Sequence, residues 1–229
     1  MYLGDVAVEV LYKDIKNVHL RVFPPDGRVR VSAPRRMPAS ALRTILEDKR
    51  AWIEAKRAKM QAQEAVAPWN FEDGEVHDVW GVPHRLQVVE RVGRARVTMG
   101  EGVLTLVVPL DTERERRGEI LERWYRRNIE QSLHDLLPRW EARMGVSVTK
   151  VQVRRMKTRW GSCSTGKRTI RLNTELARRP PECLEYVLVH ELTHLHEPSH
   201  NRRFYALMDR YLPTWRVAKE VLKRRSLRR

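Results

Sequence analysis

The sequence predicts an α+β protein: a β-rich N-terminal portion with one long helix, then a helix, short strands and a second, apolar helix. Three observations carry this. Short alternating apolar runs broken by glycine and proline recur over residues 1–109. A charged stretch of helical period follows from Asp111. Leu184, Val187, Leu188, Leu192 and Leu195 then recur at helical spacing behind a double proline. The expected division lies between residues 109 and 110.

In chain order, residues 6–12, 18–23 and 28–33 read as strands of period two, with Asp26-Gly27 supplying a turn. A helix is expected over 40–64, with Leu42, Ile45, Leu46 and Ile53 on one face. Residues 76–108 repeat the strand-rich theme, punctuated by Gly81, Gly93, Gly100 and Gly102 and closed by Pro109. Strands followed by proline and a helix thus occur twice, but the similarity is too weak to establish a duplication. The next helix, from Asp111 toward Leu137, buries Ile120, Leu121, Trp124, Ile129 and Leu133, and Pro138 should break or kink it. Val151 and Val153 begin the strands leading into Arg159-Trp160-Gly161-Ser162-Cys163, and Thr169 to Asn173 reads as an edge strand.

The last part holds the chemistry. Pro180, Pro181 and Glu182 suit a first helical turn, through proline's preset φ and a carboxylate at the positive end of the dipole. His190-Glu191-Leu192-Thr193-His194 follows, an HExxH motif. Histidines four apart stand one above the other on a helix and can share one ion, and Glu191 lies within reach of a water on that ion as its base. Pro198 is expected to stop this helix near Glu197, and Ser199 to cap another that carries Phe204, Leu207, Met208 and Tyr211. His200, at the start of that helix, is the expected third ligand in preference to His196, which would point away if the helix continued. Three neutral nitrogens leave tetrahedral zinc one open position, as a catalytic site requires.

Several segments together resemble the YgjP-like metallopeptidase family, related to the SprT-like proteins. They are the Arg159 to Cys163 segment, a short strand ending Leu172-Asn173, a proline before the helix, Tyr186 to Leu195, a histidine six positions after His194, and Phe204. The likeness is strong over the C-terminal third and one of pattern only in the N-terminal half. It implies a zincin-like catalytic domain over 110–229, built of a helix, a small antiparallel sheet and the HExxH helix, with His190, His194 and His200 as zinc ligands, Glu191 as general base, and a peptide or protein substrate. The chain departs from the family pattern at Ser199-His200-Asn201, where Asn-His-Ser is usual, and at Glu185, where aspartate is common. Arg159 is a candidate contact for an oxyanion or a substrate anion, with a structural pairing equally open. Tyr186 and Tyr205 are candidate oxyanion donors. Trp160 reads as an anchor, and Cys163 as a small core residue rather than a soft zinc ligand.

Composition bounds the rest. The 229 residues are 41% hydrophobic, enough for a folded core. Two cysteines support no disulfide framework, and neither a signal-like N-terminus nor an apolar span is evident, so a soluble cytoplasmic protein without membrane association is expected. The net charge of +16 raises two other readings. One is a metal-dependent nucleoside triphosphate phosphohydrolase, suggested by the cations from Arg154 to Arg159 ahead of the motif. The other is a nucleic-acid-associated binding protein, suggested by charge alone.

Overall fold

The computed structural model describes residues 1–23, 26–62 and 69–224. The chain divides into two compact units, Met1–Ala67 and Pro68–Arg229.

In the first unit, period-two patterning gives β1 (Tyr2–Leu3), β2 (Val6–Lys13), β3 (His19–Phe23) and β4 (Arg28–Pro34), followed by helices α1 (Ala39–Asp48) and α2 (Arg50–Ala62). The sheet order is β1-β2-β4-β3. Alternate residues Val6, Val8, Val29, Val31 and Ala33 turn inward and meet Leu42, Leu46 and Ile53. The single long helix expected over 40–64 is interrupted at Lys49, whose N–H is shared between the carbonyls of Ile45 and Leu46. That tightened turn restarts the helix with Ile53 fully buried. Residues 63 and 64 of the expected helix lie outside the described residues.

The second unit opens with β5 (Val76–Val79), β6 (Val82–Glu90), β7 (Arg96–Gly100) and β8 (Val103–Val108), in the order β5-β6-β8-β7. Val79, Leu86, Leu104, Leu106 and Val108 share one core with Ile120, Leu121, Tyr125 and Ile129 of α3 (Arg114–Met144). The apolar side of α3 is covered by this sheet, which is why the units divide after residue 67 and not at the expected 109/110. Trp124 is only half-buried, while Tyr125 takes the inward position. Pro138 does not end α3. Beyond it Trp140 and Met144 bury their side chains, and this packing offsets the hydrogen bond that proline cannot make.

β9 (Lys150–Arg154), β10 (Gly161–Ser164) and β11 (Thr169–Asn173) form a third sheet, of order β10-β11-β9. β10 and β11 are antiparallel, as expected, but β11 and β9 are parallel. Consequently β11 is the central strand, hydrogen-bonded on both sides, and β10 is an edge where the sequence suggested Thr169 to Asn173.

All three sheets contain the same triplet. Its first and third strands are parallel neighbours and its second pairs antiparallel with the third: β2-β3-β4, β6-β7-β8 and β9-β10-β11. β1 and β5 each add an antiparallel strand to the first strand of their triplet. The repetition weakly visible in two segments is therefore one of topology, and it extends to the sheet beside the HExxH motif.

After a 3-10 turn, Thr174–Arg178, the helix α4 (Pro181–Thr193) runs through the core, burying residues on every side from Cys183 to Thr193 except half-exposed Glu185 and His190. Its start is pinned by the Trp80-Gly81 turn between β5 and β6. The Trp80 N–H donates to the Ala177 carbonyl at 2.7 Å, and Gly81, at φ +83°, leaves space that a Cβ would lose to Pro180 at 2.9 Å. The helices α5 (Arg202–Tyr211) and α6 (Trp215–Arg224) follow, with Phe204, Met208, Trp215, Ala218 and Leu222 buried against the same core. Among the described residues, no helix is long and apolar enough to cross a membrane.

Candidate metal centre

HExxH works as a metal motif only if its helix holds the imidazoles on one face and then lets the chain turn back. α4 does both. It ends at Thr193, four residues before the expected stop at Glu197, because Leu195, His196 and Glu197 donate their N–H groups into a tight turn onto Leu192 and Thr193. The Thr193 hydroxyl, donating to the Val189 carbonyl at 2.7 Å, adds to this termination. His194 is thus a C-cap residue, and His200 lies in the returning segment outside either helix. The cap of α5 is Asn201, whose side chain accepts from the Phe204 N–H at 3.0 Å, and not Ser199. Placing the cap there leaves His200 free to face α4.

The geometry brings His190, His194 and His200 together, with one ligand atom from each lying within 4.8 Å of the others. The Nε2 atoms of His190 and His200 are 3.0 Å apart, close to the separation of about 3.3 Å that two nitrogens take on tetrahedral zinc. The Nδ1–H of His194 donates to the Glu197 carbonyl at 3.2 Å, leaving Nε2 with its lone pair for a metal. Burial, followed by the neighbouring His194, His200 and Lys219, pushes the His190 pKa down to about 3, and burial also lowers that of His194. Three imidazoles with a nitrogen each at this spacing are the donor set a divalent transition metal requires, so the residues fit the ion. His196 faces elsewhere, with Nε2 donating to the Met144 carbonyl at 3.0 Å and its ring stacked on Tyr211.

Phe204, fully buried, lies under all three rings at centroid distances of 4.9, 4.8 and 4.7 Å. It restricts their orientation by packing, a role its apolar periodicity did not distinguish from ordinary core. Glu191 is buried, and desolvation pushes its carboxyl up to about 8 against the opposing pull of Arg159. Gly161 makes room for it, since a Cβ there would come within 2.6 Å of Glu191 Oε1 and 2.7 Å of Val187 Cγ1.

Arg159, Trp160, Tyr186, His190, Glu191 and Lys219 are among the residues lining a cavity of about 350 Å³. Arg159 is exposed at its wall, and Trp160 is half-buried beneath the Arg179 guanidinium. Tyr186 is buried, edge-on to His190 and stacked on Trp215. Tyr205 stacks against Trp215 and His200. Cys163 packs against the core, outside the histidine cluster, and burial, followed by Glu191, pushes its thiol up to about 11. Glu185 accepts from Arg139 and from the Trp140 indole, tying α4 to α3.

Sequence reasoning gave Asn173 no structural role. Its fully buried Nδ2 donates to the carbonyls of Met156 and Arg159, both at 2.8 Å, while Oδ1 accepts from the N–H groups of Met156 and Glu175. One side chain therefore holds the loop that carries Arg159 and Trp160. Asn173→Ala is expected to cost roughly 2–4 kcal/mol, because buried partners lose their hydrogen bonds, and to lower activity by displacing that loop. Denaturant melts and kcat/KM on the same preparation would check both effects; an unchanged midpoint would contradict the clamp.

No curated protein matches the chain. Among solved structures, the metallopeptidase zymogen of Pyrococcus abyssi abylysin is 28% identical, the similarity covering 40% of this chain and 90% of that one with a TM-score of 0.36. The metallopeptidase zymogen of Methanocaldococcus jannaschii jannalysin is 21% identical, with 41% and 97% covered and a TM-score of 0.32. The family model described as the YgjP-like metallopeptidase domain matches residues 16–225. That match takes in both units, the loop held by Asn173 and all three clustered histidines, and on its extent the chain belongs to the YgjP-like metallopeptidase family.

Proposed function

We propose that the protein is a zinc-dependent peptidase in which His190, His194 and His200 hold the metal and Glu191 is the general base. The observation carrying this is the convergence of three imidazoles beside a buried carboxylate at the wall of an open cavity. When bound, zinc would supply Lewis acidity, lowering the pKa of a coordinated water and polarising the scissile carbonyl. Glu191 then takes the proton of the attacking water and delivers it to the leaving nitrogen. Tyr186, which lines the cavity, is the better placed of the two tyrosines to donate to a developing oxyanion, whereas Tyr205 steadies Trp215 and His200. The outer edge of β10 offers backbone groups to an extended peptide by strand addition. A reducing, cytoplasmic setting is consistent with the free thiols of Cys163 and Cys183.

The nucleotide reading rests on the cations from Arg154 to Arg159 beside the hydrolytic site and the nucleic-acid reading on charge alone, and the family match supports neither. The decisive assay offers an unstructured protein and nucleoside triphosphates to the zinc-loaded chain, each with chelated protein and with Glu191→Gln as controls. Proteolysis that is lost on chelation, restored by zinc and absent in the variant is the expected result. Turnover of triphosphates alone, abolished by the substitution, would overturn the peptidase reading.

A further inference from the structure

The walls of the cavity are lopsided in charge. Apart from Glu191, the charged residues lining it are the cations Arg159, Lys219 and Lys223. Lys223 is paired with Glu220 on its own helix at 3.3 Å, but neither Arg159 nor Lys219 forms an ion pair among the described residues. Both are nevertheless held in place. The Lys219 ammonium lies over the rings of Trp215 at 5.0 Å and Tyr205 at 5.8 Å, and Trp215 is itself stacked with both Tyr205 and Tyr186. The backbone of Arg159 is fixed by Asn173. Trp160, Val187 and Leu222 supply apolar wall in the same cavity, suited to a short methylene chain.

Two cations on fixed supports, in a cavity that also holds apolar wall and His190, are complementary to a carboxylate at the end of a short aliphatic stem. We infer that this cavity selects peptide substrates bearing a carboxylate next to the scissile bond, with Arg159 and Lys219 as the specificity-determining residues. The carboxylate belongs either to an aspartate or glutamate side chain or to the peptide's own C-terminus. The inference rests on the peptidase reading for its substrate class, but the charge recognition can be measured without turnover.

The test uses the full chain carrying Glu191→Gln, loaded with zinc, and measures binding calorimetrically. The probes are four synthetic peptides of one neutral sequence, with a single internal Glu or Gln and with a free or amidated C-terminus. A charge-assisted contact of this kind, discounted for the exposure of both cations, should favour the carboxylate partner by about tenfold. The Glu/Gln and free/amide comparisons separate the two sources. Arg159→Met and Lys219→Met, each added to that background, should bring the ratio toward one, whereas Lys219→Arg should retain it; matched thermal melts would show that these exposed positions leave the fold intact. Equal affinity across all four peptides overturns the inference, as does a ratio that survives both methionine substitutions. Peptide cleavage by the unsubstituted chain with no charge preference also overturns it while leaving the peptidase reading standing. A persistent ratio without any cleavage supports the carboxylate pocket and removes the peptidase reading.

Discussion

Glu191→Gln is expected to lower peptide turnover by about 10²–10⁴-fold while leaving metal content unchanged. The amide keeps the volume of the carboxylate in a buried site where Gly161 leaves no spare room, so the surrounding packing has no cause to move. It cannot accept a proton from water, and that step is the one the substitution deletes. Because burial already disfavours the charged form of Glu191, a neutral replacement removes a desolvation cost, and the metal-free variant should melt no lower than the parent. Single-turnover kinetics beside elemental analysis would test this. Activity within a few-fold of the parent at equal zinc content would show that another group is the base.

His200→Ala is expected to weaken metal retention by more than about 100-fold, beyond the losses typical when only a supporting partner of a ligand is removed. His200 is exposed in the segment between α4 and α5, so removing its contacts with Phe204 and Tyr205 should cost the metal-free fold little. The stabilisation that a bound metal adds to the folded state should fall with the affinity. His196→Ala is the matched control: it removes a hydrogen bond to Met144, worth about 1 kcal/mol, and should leave the metal in place. Zinc content after dialysis against a competing chelator distinguishes the two, and full occupancy in His200→Ala would take that residue off the ligand set.

Much of the centre was legible in one dimension because its main relation is local. Histidines four apart share a helical face whatever surrounds the helix, and the apolar stripe beside them marked that helix for burial. Termini were less legible. Ser199 and Asn201 are both capable caps, and the choice is decided by Phe204, whose burial under the three rings sets where α5 begins. Pro138 reads as a breaker, yet α3 continues because Trp140 and Met144 find a core that no local rule reveals.

The amino-acid order by itself determined the α+β class, the helical placement of His190 and Glu191, and the family, all of which depend on residue type at short or regular spacing. Tertiary structure decided the rest. The parallel pairing of β9 with β11 puts β11 in the centre and leaves β10 at an edge, Asn173 clamps a loop 14 to 17 positions earlier, and Lys219 reaches the cavity from a helix well beyond the motif. These are contacts between distant segments, governed by which surfaces bury together, and period and propensity register only the few residues on either side of a position.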